Sequence, residues 1–183
     1  METSPVLARR YSVGAIALHW IIAVLVAVNY GLAWSADDLP KPEAMQIMAN
    51  HKAIGITVLL LSIVRLVWRL INPGPPLLES LKAWEAALAK VVHWLFYFVM
   101  LAIPLAGWAM HSAGSGGMPV SFFGLFDFPA LPFGKDRATA HMFGEIHETL
   151  ATLTLGLVGL HVLGALKHIV IDHDGTMRRM LPW

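Results

Sequence analysis

The sequence predicts an all-α protein, an integral membrane four-helix transmembrane bundle that forms a single membrane domain over residues 1–183. Of the 183 residues, 57% are hydrophobic and 14% are charged, against about 45–50% and about 25% in soluble domains. Four apolar stretches approach or reach the roughly 20 residues that a helix needs to cross a bilayer. This composition excludes a disordered chain, a small secreted protein and an ordinary cytosolic enzyme.

The first helix is predicted at about 13–34, a stretch without charge that follows Arg9 and Arg10. The two arginines resemble the start of a signal peptide, but the apolar run is longer than the core of a signal peptide. We therefore expect an uncleaved first transmembrane helix.

Three further transmembrane helices are predicted at about 51–71, 91–110 and 147–170. The second has the shortest uncharged run, and it spans the bilayer if Arg65 and Arg69 extend towards one interface. The sequence Asn-Pro-Gly-Pro-Pro at 72–76 predicts a turn. A long outer loop, 111–146, mixes Gly, Pro and aromatic residues, and we expect it to cap one end of the bundle.

The positive residues are distributed unequally between the two sides of these helices. Nine of the 13 fall on one side: Arg9, Arg10, Arg65, Arg69, Lys82, Lys90, Lys167, Arg178 and Arg179. The other side has Lys41, Lys52, Lys135 and Arg137. This bias predicts a multi-pass protein, in contact with membrane lipid, whose two termini are cytoplasmic. The net charge of +1 gives no indication of nucleic-acid binding.

Histidine is frequent and cysteine is absent, with nine and zero residues respectively. The lack of cysteine excludes disulfides, thiolate metal sites and iron–sulfur clusters. An ionisable residue inside a bilayer is a functional candidate by default. Six histidines lie in the predicted helices or at their ends: His19, His51, His93, His147, His161 and His168.

Helix geometry pairs four of these histidines by depth. His147 and His161 are 14 residues apart, which places them on one face of the fourth helix, about 21 Å apart along its axis. His19 lies about 10 Å from the inner surface and His161 about 13 Å, so these two can meet across the bundle. His51 and His147 can meet in the same way at the outer surface.

Two facing histidines on separate helices are what an iron with two axial imidazoles requires, so each of these pairs predicts one b-type haem. Gly55, one turn after His51, and Gly107, at the depth of the outer pair, are predicted to border the outer haem. His93 and His168 remain as a third pair, nearer the inner surface.

Each of these residues also has a purely structural interpretation. A single intramembrane histidine usually hydrogen-bonds a neighbouring helix and binds nothing. Gly55 and Gly107 would equally serve close helix packing. Arg65 and Arg69 lie on the same face of the second helix as His51, towards the inner end of that helix. There they would neutralise propionates of the inner haem, bind a polar head group or extend to the membrane interface.

Short motifs along the chain form a specific combination. They are RYS (10–12) with LHW (18–20), HKAIG (51–55) with VRLVWR (64–69), HWLFY (93–97) with the later Pro104 and Gly107, HETLA (147–151) with LH (160–161), and KH (167–168) with DHDGTMRRM (172–180). Together they resemble the bacterial cytochrome b561 family over nearly the whole chain. One departure is Ile146, where the family often has an aromatic residue.

The resemblance implies a four-helix cytochrome of the bacterial inner membrane that carries two b haems. Its ligand pairs would be His19 with His161 and His51 with His147.

The resemblance also implies an activity, because members of the family include a superoxide:ubiquinone oxidoreductase. Electrons would pass from superoxide on the outer side to ubiquinone on the inner side. His93, His168 and Ser12 are the candidate positions for the quinone head, and His93 or His168 would relay protons. Lys135 and Arg137 would raise the local concentration of superoxide, or they belong to an ordinary solvated loop.

Two other functions stay open. The chain would serve as a membrane-anchor cytochrome subunit that links quinone to a partner hydrogenase, dehydrogenase or soluble cytochrome. It would alternatively be a haem-free metal transporter with the histidines as its path, although the uncharged spans contain no carboxylate.

Overall fold

A computed structural model describes residues 10–76 and 81–181 of the chain. Four long helices dominate it: α1 (Val13–Asp37), α2 (Lys41–Ile71), α3 (Ala83–Ser115) and α4 (Arg137–Lys167). All four are long and apolar enough to cross a membrane, which confirms the predicted four-helix membrane bundle. α1 packs mainly on α2, and α3 packs mainly on α4.

The helices extend beyond the predicted transmembrane stretches. α2 begins at Lys41 and not at 51, α3 begins at Ala83 and not at 91, and α4 begins at Arg137 and not at 147. The predicted bounds followed hydropathy, whereas a helix ends where its backbone groups find caps, and polar residues outside the hydrocarbon can be helical.

Local caps explain these longer helices. At the start of α4, Asp136 Oδ1 accepts a hydrogen bond from the backbone of Ala138 (2.9 Å), and Oδ2 accepts one from the Thr139 hydroxyl (2.6 Å). These hydrogen bonds lower the pKa of Asp136, so the cap is ionised at neutral pH. α3 ends at Gly116, whose φ of 74° is left-handed and therefore suits glycine.

The connection between α3 and α4 covers only 116–136, so the predicted outer loop of 111–146 is too long at both ends. It contains a hairpin of two short antiparallel strands, β1 (Val120–Phe122) and β2 (Phe126–Phe128). We call the end of the bundle that carries this hairpin the outer end.

The segments before α1 and after α4 meet, as far as they are described, at the opposite end of the bundle, which we call the inner end. The backbone N–H of Tyr11 donates to the carbonyl of Arg179 (3.2 Å), and the indole of Trp20 donates to the carbonyl of Met180 (2.8 Å). The Arg179 guanidinium donates to the carbonyl of Pro76, in the turn after α2 (2.8 Å). The inner end therefore carries most of the positive residues counted above, of which Arg9 lies outside the described residues.

Ser112 ties the outer connection to α3. Its side chain is fully buried, where Oγ donates to the carbonyl of Trp108 (2.7 Å) and accepts from the N–H of Leu131 (3.0 Å). Because backbone groups buried without a partner are costly, this one hydroxyl helps to hold the connection on the helix.

Replacing Ser112 by alanine is expected to destabilise the outer end by about 1–3 kcal/mol, because the N–H of Leu131 loses its acceptor. The measurement is the thermal unfolding midpoint of the purified protein in detergent. Ser121→Ala, at an exposed position of β1, is the matched control. Equal midpoints for the two variants would contradict the role of Ser112.

Candidate functional site

The outer histidine pair joins α2 to α4. The ring centroids of His51 and His147 lie 6.1 Å apart, with the ring planes at 80°. His51 Nδ1 is 3.2 Å from the carbonyl oxygen of Asn29, and His147 Nδ1 is 2.8 Å from that of Ile103. A carbonyl only accepts, so each Nδ1 carries the hydrogen and each Nε2 keeps a lone pair for a metal.

Gly107 permits the close approach of α3 to His147. A methyl carbon built on Gly107 would lie 3.0 Å from both Cε1 and Nδ1 of the imidazole, closer than ordinary contact. Gly55 is different, because a methyl carbon there would meet only Asn29 Nδ2, at 3.9 Å. A methyl group at 107 would therefore push the imidazole by a few tenths of an ångström, whereas alanine fits at 55.

The inner histidines form a cluster of three. The ring of His161 on α4 lies 6.2 Å from that of His19 on α1 and 5.9 Å from that of His93 on α3. The prediction that His93 pairs with His168 is wrong. α3 begins at Ala83, so His93 lies about 15 Å into the helix, whereas His168 follows the last residue of α4.

His19 has a buried ring nitrogen, Nδ1, without a hydrogen-bond partner among the described residues. Buried polar atoms in proteins nearly always have a partner. His19 therefore suits a role in which the imidazole binds something other than the protein.

Two arginines of α2 lie next to this cluster. Arg65 is placed over the ring of Tyr97 and Arg69 over that of Tyr11, each with its guanidinium carbon 5.8 Å from the ring centre. The charge of Arg65 acts on all three inner histidines. One nitrogen of Arg69 is buried without a hydrogen-bond partner in the described part of the chain. The pair could receive an anionic group such as a carboxylate.

Ser12 has a structural role that the sequence interpretation missed. Its Oγ accepts hydrogen bonds from the backbone of Ala15, as the N-cap of α1 (3.3 Å), and from the indole of Trp68 (3.0 Å). The hydroxyl thus fixes the start of α1 against α2, and both of its lone pairs are used.

His168 has carboxylate partners, which the sequence analysis also missed. Its Nδ1 lies 2.8 Å from Asp174 Oδ2 and 3.0 Å from Asp172 Oδ2. The available signal was the spacing, since an aspartate four residues after a histidine can reach it on a helix. Asp174 is not on that helix and is positioned by the turn that follows.

Two other histidines and two basic residues lie away from these clusters, whereas the last histidine, His173, lies in the segment after α4. His111 and His141 were expected in loops but lie in α3 and α4, where the exposed imidazole of His141 pairs with Glu145 (3.6 Å). Lys135 and Arg137 are exposed on either side of the α4 cap.

The two deep pairs fit bis-histidine ligation of a haem iron. With metal–nitrogen bonds of about 2 Å, two imidazoles on opposite sides of one metal have ring centres about 6 Å apart. The observed separations are 6.1 and 6.2 Å. The free Nε2 atoms of the outer pair, the unpartnered nitrogen of His19 and the guanidinium of Arg69 all agree with this fit.

Comparisons with known proteins point in the same direction. Residues 10–183 match the family described as prokaryotic cytochrome b561. Cytochrome b561 homolog 2 of Escherichia coli K12 is 34% identical over 174 residues, which cover 94% of this chain and 91% of the relative. A Yersinia pestis protein named probable superoxide oxidase CybB is 31% identical over 179 residues, which cover 95% and 97%. Cytochrome b561 homolog 1 of E. coli K12 is 31% identical over 176 residues, which cover 94% and 97%.

Gly107→Ala is expected to displace His147 slightly, because the added methyl group would lie 3.0 Å from two atoms of the imidazole. We expect a lower haem content and an altered absorption spectrum of the reduced protein, measured on purified material. Gly31→Ala is the matched control, since a methyl carbon there meets nothing within 4 Å. Full haem content with an unchanged spectrum in Gly107→Ala would contradict the packing argument.

Proposed function

This chain belongs to the prokaryotic cytochrome b561 family of membrane electron-transfer proteins, and we propose that it moves electrons from superoxide to ubiquinone. The proposal depends on one observation: two imidazoles face each other towards each end of the bundle. Their ring centres are 6.1 Å apart in the outer pair and 6.2 Å apart in the inner pair. Similarity to a probable superoxide oxidase supports the choice of donor.

His51 and His147 would hold an outer haem, and His19 and His161 an inner one. The haems supply one-electron redox chemistry when bound. The backbone carbonyls of Asn29 and Ile103 orient the outer imidazoles by holding their Nδ1 hydrogens.

The inner pair requires a choice, because His19 and His93 both lie beside His161. We assign the ligand role to His19, the residue that matched depth and the family resemblance pair with His161, and its buried Nδ1 without a protein partner agrees with this choice. His93 then stays available to a quinone oxygen. Arg65 and Arg69 would neutralise the propionates on this side.

The electron balance defines what each side must do. Each superoxide gives up one electron at the outer side and leaves as dioxygen. Two such electrons and two protons convert ubiquinone to ubiquinol at the inner side. His93 and His168 are the candidates for delivering those protons. Ser12 already accepts two hydrogen bonds, so only its hydroxyl hydrogen is left to donate to a quinone carbonyl.

We assign the inner end to the cytoplasm of a bacterium and the protein to the inner membrane. The support is the positive charge of the inner end, where residues 10–12, the turn 72–76 and the segment after α4 come together.

A membrane-anchor role for a separate redox protein is the second candidate. The hairpin at the outer end favours it, because its turn exposes Phe123, Leu125 and Phe126 and apolar patches often mark docking sites. A partner-free preparation that oxidises superoxide with quinone supports the enzyme, and co-purification with a redox subunit supports the anchor.

Wild-type protein is expected to contain two haems per chain, and His147→Ala is expected to lose the outer one. The measurement is the haem-to-protein ratio, together with reduced-minus-oxidised spectra. His141→Ala, which removes an exposed imidazole from the same helix, is the control and should retain both haems. Fewer than two haems in wild type, or no loss in His147→Ala, would overturn the two-haem proposal.

The double variant Lys135→Gln, Arg137→Gln is expected to consume superoxide more slowly, because exposed positive charge attracts the anion. Its rate should also depend less on salt concentration than that of wild type. The rate is measured at low and high ionic strength with ubiquinone in excess. Lys90→Gln, an exposed position on α3 towards the inner end, is the control. An unchanged rate and salt dependence in the double variant would make the two residues ordinary solvated charges.

A further inference from the structure

A network of charged side chains lies at the inner end, beyond the histidine cluster. Lys167 Nζ is 2.6 Å from Asp172 Oδ2 and 2.9 Å from Glu85 Oε1, so it links the end of α4 to the start of α3. His168 Nδ1 contacts Asp172 and Asp174 on the other side of the network. A cleft of about 210 Å³ opens beside it, lined by Leu81, Lys82, Glu85, Lys167, Asp172 and Asp174.

The network is not arranged as a cation site, although His168, Asp172 and Asp174 have ligand atoms close together. The ammonium group of Lys167 already occupies the position next to Asp172. The two aspartates therefore face one permanent positive charge and one imidazole, and they do not need a metal ion for charge balance.

The orientation of His168 follows from its partners. Ionised carboxylates only accept hydrogen bonds, so Nδ1 carries the hydrogen and Nε2 points to the opposite side of the ring. His168 follows His161 by two helical turns, or about 10.5 Å along the axis. It therefore lies between the inner histidine cluster and the cleft.

The backbone at His168 is unusual in a way that supports a functional role. Residues His168–Asp172 form a single π-helical turn at the end of α4, and such turns are often found at functional sites. His173 and Gly175 follow with left-handed backbone, at φ values of 51° and 77°. The resulting turn brings Asp174 back onto His168.

Asp174 is held firmly in this position. Its side chain is 8% exposed, Oδ2 contacts His168, and Oδ1 accepts from the backbone of Thr176 (2.8 Å). Burial opposes ionisation of this carboxyl group, but the hydrogen bonds of Thr176 and the neighbouring His168 outweigh it and lower its pKa. Asp174 is thus an ionised acceptor at neutral pH.

We propose that Asp174 is a positioning residue that holds His168 as the proton donor to the quinone, and that the adjacent cleft is where protons enter from the inner aqueous phase. The proposal rests on the function proposed above. Each ubiquinone takes two electrons and two protons. Protonated His168 gives one proton from Nε2 to a reduced quinone oxygen. Nε2 then takes up another proton from water that has entered through the cleft, and the second proton follows in the same way.

The charged groups around His168 define what a variant changes. Asp172 and Asp174 contact it directly, while Lys167, Glu85 and Lys82 complete the network at the cleft. Asp174→Asn removes one negative charge, yet its amide oxygen can still accept from Thr176. The turn should therefore persist while the charge beside His168 is lost.

The test uses purified, haem-loaded, full-length protein and two rapid-mixing measurements. In Asp174→Asn, haem reduction by superoxide should match wild type. Oxidation of the reduced haem by a soluble ubiquinone analogue should slow roughly tenfold or more, the scale of a lost acid–base contribution. The fall of the rate with rising pH should begin at a lower pH than in wild type, and the deuterium solvent effect should be larger.

Three variants make the result specific. Asp174→Glu should recover part of the rate, and Asp127→Asn, which removes a carboxylate from the outer hairpin, should behave as wild type. His168→Gln leaves Asp174 and its turn intact and should reproduce the loss if Asp174→Asn does not fold.

The failures of the two proposals are distinguishable. If wild type reduces quinone while Asp174→Asn and His168→Gln keep its pH profile and solvent isotope effect, the proton route is overturned and the electron-transfer function stands. If wild type does not reduce the quinone analogue after its haem has been reduced by superoxide, the quinone function is overturned and the proton route with it.

Discussion

The need to satisfy imidazole nitrogens inside a bilayer is the constraint on which the arrangement of this bundle depends. His147 meets it by donating to the carbonyl of Ile103 on α3 (2.8 Å). Gly107, one turn further along α3, leaves room for the ring, since a methyl carbon there would lie 3.0 Å from it. The facing imidazole of His51 is held in the same way by the carbonyl of Asn29 (3.2 Å).

The same constraint has a different outcome at the inner end. Here three imidazoles and two guanidinium groups gather from all four helices, and two of their buried nitrogens have no hydrogen-bond partner among residues 10–76 and 81–181. Leaving such groups unpaired costs free energy, which a bound carboxylate-bearing cofactor would return. Hydrogen bonds to backbone carbonyls thus fix the orientation of the outer imidazoles, whereas the orientation of the inner side chains depends more on a bound group.

The sequence predicted well what depends on the fixed rise and rotation of an α-helix. The spans follow from the lack of charge, and the pairing of His19 with His161 and of His51 with His147 follows from matched depth. The sequence predicted poorly where the helices end and which partners the side chains near those ends have. The cap at Asp136 and the π-helical turn after Lys167 leave no hydropathy signal. The partners of His93 and His168 were misassigned for this reason, and the N-cap role of Ser12 was missed.

All the close imidazole pairs of the described chain include a residue of α4, which is synthesised after the other three helices. The first three helices can enter the membrane and pack while the histidine pairs are still incomplete. The segment after α4 then contacts the start of α1 and the turn after α2, so the inner end closes only after that segment has been made. Any cofactor held between two of these imidazoles would therefore have to await the synthesis of α4.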